Sequence, residues 1–326
     1  MYKIPVINSL RGLAALLVCL YHFICTTTGY FSDELLLDIF EYGKKGVHIF
    51  FIISGIVIPL SMIKSNYSYS LFKKFISKRF IRIEPPYLIA VILGICYLYI
   101  RNFIPGSADL DLTPSIRDTL LHLGYLIPFV EDAKWISPVF WTLSIEFQYY
   151  LILALSFPLI NSKTWLYRSV FYCILIAFPF ILHSPSFFLH WGAYFGVGIV
   201  YALYFTKKIN LKEFFLILCI LLIVVFINQS LTDVIIAVFT LTIIHFFKDS
   251  NSKIGNFMGQ ISYSLYLMHG LFGKPFINFM SHRFTIPYQK FLVVSTGLLL
   301  SIIAAYLLWL VIEKPSQRFS QKIKLN

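Results

Sequence analysis

Long apolar stretches dominate the chain, each closed at its ends by charged or turn-forming residues. A helix needs about 17–25 predominantly apolar residues to cross the hydrocarbon core of a bilayer. Windows of that kind predict ten helices, at 5–25, 46–63, 86–102, 138–160, 167–183, 187–206, 212–229, 231–247, 259–281 and 290–312. The segment 116–130 (IRDTLLHLGYLIPFV) is apolar but short, and reads as re-entrant or interfacial rather than spanning. The pattern predicts an all-α polytopic transmembrane helix bundle.

Lys and Arg placement orients the spans, because cytoplasmic loops carry the excess of positive charge. With the N-terminus inside, Lys3, the group Lys64, Lys73, Lys74, Lys78, Arg79 and Arg82, and the C-terminal Lys314, Arg318, Lys322 and Lys324 all fall inside. Lys163, Arg168, Lys207, Lys208, Lys212, Lys248 and Lys253 join them, whereas Lys44, Lys45, Arg101, Arg117, Lys134, Lys274, Arg283 and Lys290 fall outside. Most carboxylates, among them Asp33, Glu34, Asp38, Glu41, Asp109, Asp111 and Asp233, also lie outside. Both termini are therefore expected in the cytoplasm. The longest pieces between spans, 64–85 and 103–137, are too short for an independent domain. Residues 1–326 are expected to form a single membrane domain with no appended extracytoplasmic domain.

Composition agrees with a bilayer as solvent: 58% of residues are hydrophobic, 18% aromatic and only 13% charged, with a mean hydropathy of +0.78. Soluble domains carry about 25% charged residues. The net charge of +12 raises the question of nucleic acid, but basic residues dispersed between apolar segments cannot form the continuous stripe that tracks a phosphate backbone. The five cysteines show neither metal-ligand spacing nor an even-numbered disulfide framework. Arg11 interrupts the N-terminal apolar run and no small-x-small cleavage site follows, so this run reads as a retained first helix.

An ionisable side chain inside a span costs about 2.5–3.5 kcal/mol, which makes it a functional candidate by default. Arg11 and His22 are eleven residues apart; at 100° per residue this is within about 20° of three full turns, so they share a face with a rise of about 16 Å. Arg11 then lies in the inner half and His22 near the outer end. In the fourth predicted helix, entered at Pro138, Glu146 lies about eight residues deep, about 12 Å from the outer end. Thr142 and Tyr150 share its face at i−4 and i+4. In the ninth, Ser262, Tyr266 and His269 form one stripe. Structural roles compete in each case: Arg11 snorkelling to headgroups, Glu146 pairing with an arginine, hydroxylated residues joining helices. The basic run KKFISKRFIRIEPPYL, read as a loop, also suits anionic lipid.

Taken together, the motifs resemble the acyltransferase-3 family of integral membrane O-acyltransferases. The resemblance rests on Arg11 and His22 in the first span, GVHIFFIISG (Gly46–Gly55), RFIRIEPPY (Arg79–Tyr87), WTLSIEFQYYL (Trp141–Leu151), ISYSLYLMH (Ile261–His269) and IEKP (Ile312–Pro315), in that order over nearly the whole chain. Two departures stand out. His48 occupies a position where relatives often carry an acid, and either Asp33 or Glu34 could be the carboxylate that relatives place after the first-helix histidine.

The resemblance implies transfer of an acetyl group from cytoplasmic acetyl-CoA, a donor substrate rather than a bound cofactor, to a hydroxyl of an extracytoplasmic or lipid-linked surface glycan such as the O-antigen. It implies a multi-pass protein of the bacterial inner membrane, acting alone, as a homo-oligomer or with a separate partner protein. His22 then suits the general base, since a neutral imidazole takes a hydroxyl proton well at neutral pH; alternatively it carries the acetyl group itself. Glu146, Asp33 and Glu34 compete as the carboxylate that orients it. Guanidinium forks match phosphates bidentately, so Arg79 and Arg82, supported by Lys78, are the candidates for CoA, and Arg11 for the thioester or Glu146. The alternative is a transporter or export subunit without transferase activity, since polar residues at membrane depth also line substrate pathways.

Overall fold

The computed structural model describes residues 4–27, 29–103 and 113–325; Lys3, Asp109 and Asp111 lie outside the described residues. Every regular element among the described residues is helical. The helices are α1 (Val6–Ile24), α2 (Glu34–Glu41), α3 (Gly46–Lys64), α4 (Phe72–Asn102), α5 (Ile116–His122), α6 (Trp141–Ile160) and α7 (Trp165–Ile181). They continue as α8 (Gly192–Phe205), α9 (Leu211–Asn228), α10 (Leu231–Phe246), α11 (Lys253–Met268), α12 (Lys274–Ser281), α13 (Pro287–Leu308) and α14 (Lys314–Lys322). Among the described residues, seven helical stretches are long and apolar enough to cross a membrane, and the apolar helices α7 and α10 are shorter. The polar helix α11 is not one of the seven.

Three boundaries differ from the sequence expectation. The basic run after the second predicted span is not a loop but the N-terminal half of α4, which runs unbroken through Pro85 and Pro86. Lys and Arg are good helix formers, and the hydropathy window that locates a span is blind to a helix that extends beyond it. Second, α6 begins at Trp141, because residues before it form a turn in which the Phe140 N–H donates to the Ser137 carbonyl at 3.1 Å. Glu146 is thus five residues from the helix start, about 7.5 Å. Third, the ninth predicted helix is α11 and α12 joined by a π-helical turn, His269–Gly273. The segment 116–130 forms only α5 and a short 3-10 turn, Ile127–Phe129, with Ile116, Leu120, Leu123, Leu126 and Phe129 exposed and His122 fully buried.

Two close crossings set the frame. A Cβ on Gly259 of α11 would stand 2.2 Å from the Asn8 carbonyl oxygen of α1, and one on Gly198 of α8 would stand 2.2 Å from the Ile52 carbonyl oxygen of α3. Backbones this close need small residues, the usual device where lipid offers helices no hydrophobic drive to associate. Polar ties add direction. Asp233 of α10 accepts from Lys45 at 2.5 Å and pairs with His48 Nδ1 of α3 at 2.7 Å, with the His48 ring stacked on Tyr194 of α8. The Tyr263 hydroxyl of α11 donates to the Ile83 carbonyl of α4 at 2.7 Å.

Candidate active site

Two cavities lie end to end inside the bundle. The first, about 90 Å³, holds Arg11, Arg79, Arg82, Glu146, Tyr150 and Glu313. The second, about 470 Å³, holds His22, Tyr97, Arg101, His269 and Lys274. Four helices pass from one to the other. Along α1 the first cavity takes Arg11 and the second His22; along α4, Arg79 and Arg82, then Tyr97 and Arg101; along α11 and the π turn, Tyr263 and Tyr266, then His269. In α6 and the turn before it the direction is reversed, with Val139 in the second cavity and Glu146 and Tyr150 in the first. Arg82 and Arg101 are separated by about 28 Å of helix rise, close to the thickness of a hydrocarbon core.

In the first cavity Arg79 is 4% exposed, and its guanidinium lies over the rings of Phe75 at 5.3 Å and Tyr150 at 5.7 Å. Its Nε is buried without a hydrogen-bond partner. Cation–π contact offsets part of the cost of burying the charge, and the free N–H leaves a donor for an anion. Glu146 Oε1 accepts from the Tyr150 hydroxyl and, at 3.5 Å, from Ser54. Arg11 lines the same cavity as Arg82, Glu146 and Glu313, but no ion pair within 4.0 Å joins it to a carboxylate among the described residues. Glu313 lies on a second π-helical turn, Trp309–Glu313, and is held by Ser264 at 2.6 Å and Gln317 at 2.8 Å.

Between the cavities, the Thr142 hydroxyl donates to Tyr266 Oη at 2.9 Å, and the Tyr266 hydroxyl donates to the Val139 carbonyl at 3.1 Å. Thr142 and Tyr266 line the first cavity, and Val139, whose carbonyl accepts from Tyr266, lines the second. The candidate residues are accordingly divided. Arg11, Glu146, Arg79 and Arg82 share one cavity, and His22 faces the other. Lys78 lines neither and donates to the Ile323 carbonyl at 3.1 Å. Asp33 caps α2, accepting from the Leu36 N–H at 2.8 Å. Among the described residues no carboxylate lines the His22 cavity; the ring nearest to His22 across the bundle is His269, centroid to centroid 5.2 Å.

Several cavity residues escape a reading by single-helix faces. Lys274 and Arg101 appear in the sequence as loop or flank charges, and Tyr263 sits one position from the stripe of Ser262, whose hydroxyl instead donates to the Gly259 carbonyl at 2.9 Å. Glu313 falls inside the IEKP motif, which was its only signal.

Residues 4–310 match the Acyl_transf_3 family, an acyltransferase domain. The chain is similar to the putative acetyltransferase ORF330 of Acidianus two-tailed virus, 28% identical over 293 residues that cover 81% of this chain and 82% of that protein. It is also similar to the acyltransferase MdmB of Streptomyces mycarofaciens, 28% identical over 190 residues, 55% of this chain and 46% of that protein. No solved structure matches. With a bundle of apolar helices around two cavities that charged side chains help to line, and a match over nearly its whole length, the chain belongs to the acyltransferase-3 family of multi-pass membrane acyltransferases.

Proposed function

We propose that the protein moves an acetyl group from cytoplasmic acetyl-CoA to a hydroxyl of a surface glycan, extracytoplasmic or lipid-linked, in a bacterial inner membrane with both termini in the cytoplasm. The observation that carries this reading is the pair of cavities at opposite ends of α4, one rich in arginine and one built around histidine. Arg79 and Arg82 bind the CoA phosphates, and the acyl-pantetheine arm, its thioester still intact, runs through the first cavity past Arg11. The acetyl group reaches the second cavity past Thr142 and Tyr266. There His22 takes the proton of the acceptor hydroxyl, the hydroxyl oxygen bonds to the acetyl carbon, the C–S bond breaks, and the CoA thiolate leaves and is reprotonated.

Two further features support this reading over transport without chemistry: the putative acetyltransferase name of the viral relative and an imidazole facing a cavity roomy enough for an acceptor. The test is purified protein with acetyl-labelled CoA and isolated surface glycan or lipid-linked oligosaccharide. Label in the glycan supports the proposal; stoichiometric CoA retention with label only moving across the membrane would overturn it.

A further inference from the structure

The second cavity has an unusual charge balance for an acceptor site. Its lining includes Arg101, Lys274, His22, His269 and His282 but, among the described residues, no Asp or Glu. Neither Arg101 nor Lys274 has a carboxylate within 4.0 Å among the described residues. Hydroxyls and an amide on Tyr97, Ser137, Asn278 and Ser281 also line it and suit the hydroxyls of any sugar; what a neutral sugar leaves unmatched is the pair of cations. Half-buried cations without counter-ions at a cavity wall gain a charge-assisted partner when an anion arrives.

A second observation points the same way. His269 is fully buried, its Nδ1 lies 3.2 Å from the Leu265 carbonyl, and its Nε2 has no hydrogen-bond partner. With Nδ1 carrying the proton toward that carbonyl, Nε2 is an acceptor awaiting a hydroxyl. The π turn is what combines it with Lys274. Five residues along an α-helix are about 140° apart, which would turn one of the two away. Here the Lys274 N–H bonds to the His269 carbonyl, i to i+5, and that wider turn lets both line one cavity.

Resting on the transferase reading above, we propose that the acceptor is anionic: the sugar bearing the reacting hydroxyl, or its immediate neighbour, carries a carboxylate or phosphate that Lys274 and Arg101 bind, while His269 Nε2 accepts a hydrogen bond from a sugar hydroxyl. The anion fixes the sugar's register, and His22 sits opposite His269 to meet the hydroxyl.

Binding to the purified full chain in a neutral detergent, at constant ionic strength, tests this with D-glucuronate, D-galacturonate and glucose 1-phosphate against D-glucose and D-galactose. At least one charged sugar is expected to bind tenfold or more tightly than its neutral parent. Lys274→Met and Arg101→Gln, each checked for an unchanged elution profile and melting temperature, are expected to erase that preference. Equal binding of charged and neutral sugars, or a preference that survives in every variant that folds, would overturn the proposal. So would displacement of the charged sugar by adenosine 3′,5′-bisphosphate, which would make the seat the donor's, or by phosphatidylglycerol, which would make it a lipid's. Acetyl transfer is assayed separately: its absence with the anion preference intact counts against the transferase reading alone.

Discussion

His22 and His269 face one another with ring centroids 5.2 Å apart, one carried by α1 and the other by the start of the π turn after α11. The contact depends on the close crossing of α1 and α11, where Gly259 and Gly12 admit the opposing backbone and Met258. No carboxylate among the described residues lines the His22 cavity, and a second imidazole is the nearest ring to His22 across the bundle. Two replacements separate their roles. His22→Ala should lower acetyl transfer by the 10²–10⁴-fold of a lost general base, with membrane insertion unchanged; more than a tenth of wild-type turnover would remove His22 from the chemistry. His269→Phe deletes the partnerless Nε2 and the Nδ1 contact to the Leu265 carbonyl, an oxygen that also accepts the His269 backbone N–H. It should keep a melting temperature close to the wild type and lose about tenfold in transfer, the high side of what one neutral hydrogen bond contributes.

Arg79 and Arg82 should act on the donor. Arg79→Ala and Arg82→Ala are expected to raise the KM for acetyl-CoA, each removing a charge-assisted contact to phosphate of about 1.5–3 kcal/mol, or roughly 10–150-fold. Arg79 also stacks over Tyr150 and Phe75, so Arg79→Lys is not conservative here and should behave like the alanine variant. Donor affinity unchanged in all three would assign the pair to lipid.

Glu146 holds Tyr150 and Ser54 in the cavity that it shares with Arg11 and Arg79. Glu146→Gln keeps an acceptor for both hydroxyls and deletes the charge, and should lose transfer with its fold intact. The double variant Arg11→Met, Glu146→Gln should recover melting temperature relative to the less stable single variant but not turnover. Near wild-type turnover in the double variant would reduce Glu146 to a counter-ion.

The crossing of α3 and α8 has no room for a methyl group. On Gly198 it would stand 2.2 Å from the Ile52 carbonyl oxygen and 2.8 Å from Gly55 Cα. Both are backbone, so relief requires moving a helix. Gly198→Ala should cost about 1–3 kcal/mol, as overpacking does, seen as a lower melting temperature in detergent.

Sidedness follows from the charge count. With native thiols removed, Lys73→Cys should react with an impermeant thiol reagent only from the cytoplasm and Asp38→Cys only from outside. The reverse pattern would invert the proposed route of the acetyl group.

Sequence by itself determined the helical architecture and the shared face of Arg11 and His22. A bilayer demands about twenty apolar residues per helix and a helix repeats every 3.6 residues, so both are local quantities. The motifs also led to the family, since their order along the chain needs no coordinates. Tertiary structure decided the rest. That Glu146 shares a cavity with Arg11 and Glu313, while His22 lines the other, depends on how four helices pack. The pairing of His48 with Asp233 across 185 residues leaves no local periodic trace. The meeting of His269 and Lys274 violates the 100° rule from which faces are read, because the chain widens into a π turn between them. A periodicity argument places each residue on a face of its own helix; which faces enclose a common cavity is fixed by backbone approaches of small residues and by departures from the ideal helix.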